Sequence, residues 1–363
     1  MIFNKTGRLL RQQFYLQGVL LENVRAYKYL GFLVTPSGEI NSGLKDLRDR
    51  GLKAFMKIKH SLGSDFNQDL QTSLSLIDSL IKPILLYACE LWGCMKLPKS
   101  NPMENLHMMM CKQVLGVQKQ TTNIGVLLEL GRVPLHFYAI KAAIKNWERI
   151  KKGQANILLL ASYKDAIINK LPWIVGIKSV LENNAMLEFY INGYANDKPF
   201  IYNKLFQRLY DIFHQDAFAT INSNDSKLRT YAIYKKEIGF ENYLTNVKNK
   251  TIRIQMTKFR LSNHRLMIEI GRHDGTQKEM RFCHFCPGLI ENEAHFLLSC
   301  SAYQSQREKL LYPILNEIPE FEYLSINLKF KKLMATFNFH VCKYVTNCAE
   351  LREYLLSKPK RLS

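Results

Sequence analysis

Residues 282–300 read FCHFCPGLIENEAHFLLSC, and no other stretch constrains the fold as tightly. Cys283 and Cys286 form a C-x2-C turn, and His295 and Cys300 complete the pattern C-x2-C-x8-H-x4-C. Two thiolates from a tight turn, with a His and a Cys from a following helical turn, can converge on one tetrahedral ion. The competing readings are a disulfide loop and a chance group of buried thiols. A disulfide needs an oxidising compartment, and chance does not account for a histidine at ligand spacing. Zinc is therefore the expected ion, held by Cys283, Cys286, His295 and Cys300. A closed Cys3His sphere leaves no open position for water, so its role is structural rather than hydrolytic. His284 sits between the paired cysteines and is expected to point away from the ion. Phe282, Phe285 and Phe296 either cap this small core or stack on an unpaired base. Phe296 is the core residue of the three, and Phe285 is the better candidate for stacking.

The other cysteines (Cys89, Cys94, Cys111, Cys342 and Cys348) form no dense disulfide framework, and the start shows no signal-peptide pattern. A reducing, intracellular setting is expected, nuclear or within a ribonucleoprotein, and not secretion. The first twenty-one residues carry Lys5, Arg8 and Arg11 without an acid. They resemble a mitochondrial presequence, but a strand, a turn at Lys5-Thr6-Gly7 and a second strand explain them equally well. Across the chain 51 Lys and Arg face 31 Asp and Glu, a formal charge of +20. With 47% apolar residues this is a globular chain, so the excess points to a polyanionic partner, RNA or DNA ahead of an acidic membrane surface. No apolar run approaches the about eighteen residues that a span needs, and no membrane partner is expected.

The periodicity is mainly helical. Residues 27–34, YKYLGFLV, read as strand, followed by the turn signal TPSGE. Ile40, Leu44, Leu47, Ala54 and Ile58 then mark an amphipathic helix. A second helix is expected from a cap at Asn67 through residue 93, kinked or restarted at Pro83. A third runs from Asn101-Pro102 to Gly116, with Met108, Met109 and Met110 as core filler rather than a ligand box. From 123 to 262 the pattern stays helical, broken at 131–134, 152–156 and 192–199. Residues 242–268 hold Lys248, Lys250, Arg253, Lys258, Arg260 and Arg265 without an acid, a charge pattern that suits either a phosphate backbone or a solvated face. LMIEI, 266–270, alternates like a short strand leading into the cysteine turn.

Several of these pieces, in this order, resemble consecutive parts of non-LTR (LINE-type) retrotransposon reverse transcriptases: AYKYLGFLVTPSGEI, LKDLRDRGLKAFMKI, LIKPILLYACELWG, MCKQVLGV and LLELGRVPL. The resemblance covers nearly the whole chain. It implies that Tyr27, Leu30 and Gly31 leave the polymerase palm, that the following helices form the thumb, and that Cys283, Cys286, His295 and Cys300 are the C-terminal knuckle. The departure from the family is chemical. Its polymerases hold two metal ions on palm aspartates, including an aromatic-x-Asp-Asp turn, and this sequence has no Asp-Asp pair. The opening MIFNKTG resembles the strand after that turn. The chain is thus expected to be the C-terminal portion of such an enzyme, not a polymerase by itself, and to need no Mg2+.

The expected architecture is mainly α, with five segments: a palm remnant with a β-hairpin at 1–39, thumb-like helices at 40–130, a helical connecting region at 131–262, a strand with the zinc knuckle at 263–302, and a C-terminal helical segment at 303–363. The expected function is nucleic-acid binding through Lys248, Lys250, Arg253, Lys258, Arg260, Arg265 and Phe285, with the missing palm as a further partner. A structural remnant that binds nothing specifically, and a shortened reading of a full RNA-directed DNA polymerase, remain the alternatives.

Overall fold

The computed structural model describes residues 1–357 except 5, 11, 99, 193–199, 316, 317, 319, 336 and 337. Two short antiparallel hairpins come first, β1 (Tyr15–Leu16) with β2 (Val19–Leu20) and β3 (Tyr27–Tyr29) with β4 (Phe32–Val34). Both turn on two residues at positive φ, Gln17-Gly18 and Leu30-Gly31. A two-residue hairpin of right-handed twist requires this, and leucine tolerates it poorly. Leu30 is held there by its neighbours: the Tyr87 hydroxyl donates to its carbonyl, and Arg50 Nη2 donates to Gly31 O at 2.9 Å. The expected strand–turn–strand around residue 6 is replaced by β1–β2 further along, and Lys5 and Arg11 lie outside the described residues.

The helices follow in order as α1 (Asn41–Leu62), α2 (Leu70–Leu76), α3 (Lys82–Leu85), α4 (Cys89–Trp92), α5 (Pro102–Leu115), α6 (Asn123–Glu129), α7 (His136–Lys151), α8 (Ile157–Ile168), α9 (Pro172–Asn183), α10 (Leu187–Asn192) and α11 (Ile201–Asn222). They continue as α12 (Tyr231–Tyr234), α13 (Asn242–Asn246), α14 (Lys250–Arg260), α15 (Met267–His273), α16 (Glu293–Leu298), α17 (Gln304–Leu310), α18 (Tyr312–Leu315), α19 (Ile326–Ala335) and α20 (Phe339–Ser357). The chain is mainly helical, as its periodicity implies.

Helix α1 buries Leu44, Leu47, Gly51 and Phe55, so the stripe drifts off Ala54 and Ile58, which are only half-buried. The helix expected over residues 67–93 is broken. Asp69, not Asn67, caps its start, its carboxylate accepting from Gln71 N at 3.1 Å. Pro83 has no N–H for the carbonyl four residues earlier, and the turn before it, Ile77–Ile81, widens to a π-helix. Ala88, at φ +55, ends the run before α4. Helix α5 keeps its expected bounds: Asn101 Oδ1 accepts from Met103 N at 3.0 Å and Gly116 closes it at φ +69. Met108 and Met110 are core, as expected, while Met109 is half-buried.

The chain divides into two compact units, each assembled from three separated segments. The first comprises Met1–Gly63, Ser75–Met110 and Val133–Phe213, the second Ser64–Leu74, Cys111–Arg132 and His214–Ser363. These units cut across the five consecutive segments read from the sequence. In the first, Glu104 of α5 caps α7 through Leu135 N and His136 N, both at 3.1 Å. Trp147, fully buried, centres a core with Ile144, Ile174, Ile177, Leu181 and Leu205. In the second, α14 and α17 pack on α20, and α12 and α16 pack on α19. No helix among the described residues is long and apolar enough to cross a membrane.

Candidate metal centre

The cysteine turn is a small hairpin. Phe282 bridges Ile290, Cys283 N donates to Leu289 O at 2.7 Å, Leu289 N donates to Cys286 O at 3.2 Å, and Gly288 supplies the left-handed turn residue at φ +76. Helix α16 starts at Asn292, whose side chain accepts from His295 N at 2.8 Å. It ends where the Cys300 N–H donates to His295 O at 2.8 Å, folding Cys300 back beneath the histidine. These two local devices bring Cys283, Cys286, His295 and Cys300 together, all buried, with their ligand atoms within 4.8 Å of one another.

The spacing discriminates between the readings. Cys300 Sγ lies 3.8 Å from Cys283 Sγ and 3.9 Å from Cys286 Sγ. A disulfide has an S–S length of about 2.05 Å, and all eight cysteines are free. Thiolates about 2.3 Å from one tetrahedral ion sit about 3.8 Å apart. The histidine supplies a second test. Its Nδ1 pairs with the Ser299 hydroxyl at 3.1 Å, while Nε2 is buried without a hydrogen-bond partner. A buried nitrogen left unpaired is costly, and a metal bond is the partner that would satisfy it. The donor set therefore fits a metal ion and is compatible with structural zinc. His284 is exposed, turned away from the cluster.

Electrostatics at the four ligands are uneven. Burial pushes the Cys283 and Cys300 thiols up. Burial is also the largest influence on Cys286 and opposes its thiolate. Yet hydrogen bonds with the Ser301 hydroxyl and N–H, at 3.2 and 3.4 Å, and contacts with the Cys300 and Cys283 thiols hold it below the ordinary thiol range. Burial lowers the His295 value, favouring the neutral ring that ligates metals.

A ring of supports beyond the four clustered residues fixes the hairpin. Glu291, buried, takes Arg352 of α20 in a two-pronged pair at 2.9 and 2.7 Å, and its carboxylate also accepts from Met267 N at 2.7 Å. Arg307 donates to Cys300 O and to the Tyr344 hydroxyl, which donates to Phe296 O at 3.0 Å. Among these, only Ser299 and Ser301 carry a local signal, one turn after the histidine and directly after the last cysteine. Glu291, Arg307 and Arg352 find partners through the fold and carry none. Comparisons with protein families, with curated proteins and with solved structures find no match for this chain.

The basic stretch is placed quite differently from its expectation. Segment 266–270 is not a strand but the start of α15, because Glu291 accepts both Met267 N and Ile268 N, the latter at its main-chain carbonyl at 3.0 Å. Arg253 and Arg260 do not face solvent. Arg253 is 3% exposed and donates to Val247 O and Asn67 O. Arg260 is equally buried, paired with Glu129 at 2.6 Å and Glu241 at 2.6 Å. Neither can reach a phosphate backbone, because both guanidinium groups close internal hydrogen bonds. Of the remaining four, Lys248 and Arg265 are exposed and Lys250 and Lys258 half-buried. Lys250 Nζ donates to Phe66 O at 2.9 Å, and Arg265 lies 3.7 Å from Glu353. Phe296 is fully in the core, its ring 5.5 Å from Phe259 and 4.9 Å from Tyr303. Phe285 is half-buried, edge-on to Tyr303 at 6.2 Å. Lys258, Arg265 and Phe296 line one cavity of about 140 Å³, so the knuckle core and the outward part of the basic stretch adjoin.

Proposed function

We propose that the chain is a nucleic-acid-binding module in which Cys283, Cys286, His295 and Cys300 hold one structural zinc, the thumb-and-knuckle portion of a polymerase like those of non-LTR retrotransposons. The single observation that carries the zinc is the buried, unpartnered Nε2 of His295 within 4.8 Å of three sulfurs, with Cys300 Sγ at tetrahedral spacing from the other two. The ion would supply no reaction step. It would fix the angle between hairpin and α16, contributing on the order of 10 kcal/mol to the local fold. In this reading Lys258 and Arg265, beside Phe296, and exposed Lys248 meet phosphates, while Arg253 and Arg260 hold the helix that presents them.

The reading of a structural unit without a nucleic-acid partner draws on the inward turn of Arg253 and Arg260. A salt titration separates the two. The wild-type chain, purified with zinc present, is expected to carry about one equivalent of zinc by elemental analysis and to bind duplex DNA with a steep log–log salt dependence. Replacing Lys258 and Arg265 by Gln should leave the zinc in place and flatten the slope by about 1.8. Less than half an equivalent of zinc defeats the metal centre. An unchanged slope defeats the proposed interface.

A further inference from the structure

The first unit contains a basic, ring-lined depression that no motif in the sequence announces. Helix α7 carries Lys141, Lys145 and Arg149 at four-residue steps, which places them on one helical face, with Lys152 at its end. Aromatic rings lie against this stripe. Lys141 Nζ is 4.8 Å from the Phe206 ring centre, Lys145 Nζ is 5.7 Å from that of Tyr202, and Lys152 Nζ is 4.5 Å from that of Phe200. Phe200 and Tyr202 are themselves stacked, their centres 5.4 Å apart at 27°. The depression holds about 700 Å³, within the about 300–1,000 Å³ usual for ligand sites.

The charge balance favours an anion. Glu148, buried in the wall, pairs with Lys152 at 3.0 Å. Glu90 is the remaining carboxylate of the lining, against exposed Lys145 and Arg149. Arg149 donates to Asn146 Oδ1 at 3.0 Å, a neutral partner that leaves its charge uncompensated. Phe200 keeps 51% of its surface exposed beside these cations. An acidic peptide would satisfy the cations but has no use for stacked rings, and a duplex hides the faces of its bases. Cations beside an open ring suit unpaired bases on a phosphate backbone.

We propose that this depression binds single-stranded nucleic acid, one base stacking on Phe200 and Tyr202 while flanking phosphates meet Lys145 and Arg149. The inference rests on the nucleic-acid reading above but uses a different unit of the chain and none of the same residues.

The test uses the full chain and labelled oligo(U) and oligo(dT) of about twelve nucleotides, within the span of a typical single-strand groove. Phe200→Ala is expected to weaken binding about tenfold with an unchanged salt slope, because a lost stack releases no counterions. Lys145→Gln with Arg149→Gln should flatten the slope by about 1.4. Duplex binding should be unaffected by either change. All three residues are exposed, so thermal melting of the variants should match wild type. Crosslinking of a 4-thiouridine oligonucleotide to the peptide containing Phe200 and Tyr202 provides a readout that needs no variant. Wild-type affinity and slope in both variants with no crosslink there would overturn the inference alone, as would competition by polyglutamate as effective as by oligonucleotide. A wild-type chain that binds no nucleic acid overturns this inference and the proposed function together.

Discussion

Arg260 sits among two carboxylates and three tyrosine rings, its guanidinium 4.7 Å from the centre of Tyr234 and 5.1 Å from that of Tyr243. Glu129, wholly buried, also accepts the hydroxyls of Tyr231 at 2.8 Å and Tyr243 at 2.6 Å. Removing one member strands the others as buried charge. Arg260→Ala is therefore expected to cost about 3–5 kcal/mol in urea unfolding, whereas Lys258→Ala should stay within about 0.5 kcal/mol. For Glu129 burial is the largest influence and pushes its carboxyl up, but Arg260, Lys235 and Tyr243 outweigh it and hold the value below the usual 4.5. A depressed carboxyl stabilises the fold above its unfolded value and loses that stabilisation as pH falls beneath it. The urea midpoint should thus decline from about pH 4.5 downward. Glu129→Gln should be weaker at neutral pH and decline less steeply in acid. The inward turn of the arginines had a partial signal. Arg253 and Arg260 are seven apart, on the same face as Met256 and Thr257, and helical phase alone separates them from Lys258. The acceptors of Arg260, Glu129 and Glu241, and the Asn67 carbonyl that takes Arg253 lie in other segments, and nothing local to α14 names them.

At the scale of elements, local geometry was legible and tertiary capping was not. That Cys283, Cys286, His295 and Cys300 come together could be read because each pair is set by a turn of a few residues, and the same holds for α5 between Asn101 and Gly116. LMIEI could not, since five residues satisfy both a strand and a helix and the decision falls to Glu291, more than twenty positions away. Metal loss gives a direct element-level prediction. Cys286→Ser should lose zinc and the amide-exchange protection of residues 283–300, while α7 and α9 in the other unit keep theirs. A second concerns Gly93, where an added Cβ would lie 2.2 Å from Ala139 O, a main-chain atom that cannot swing aside. Gly93→Ala should destabilise by about 1–3 kcal/mol, against the usual gain for alanine in helices. Gly239→Ala, with open space around it, is the neutral control.

For the whole molecule the formal charge of +20 sets two opposed responses to salt. Self-repulsion is screened as ionic strength rises, while phosphate contacts weaken. Melting temperature should therefore climb between about 0.05 and 0.5 M NaCl over the range in which oligonucleotide affinity falls. A melting temperature that drops in step with affinity would mean that the charges are balanced within the fold instead. The segmental make-up of the two units has a consequence in time. The first unit has all its parts once Phe213 has been made, but the second needs Ser64–Leu74 and Cys111–Arg132 to meet helices as late as α20, where Arg352 clasps Glu291. At about 5–20 residues per second the ribosome takes on the order of ten seconds to cover that distance. During that interval two early segments wait, tethered to a neighbour that can already fold, so the order of synthesis itself decides which unit is exposed to chaperones and proteases longest.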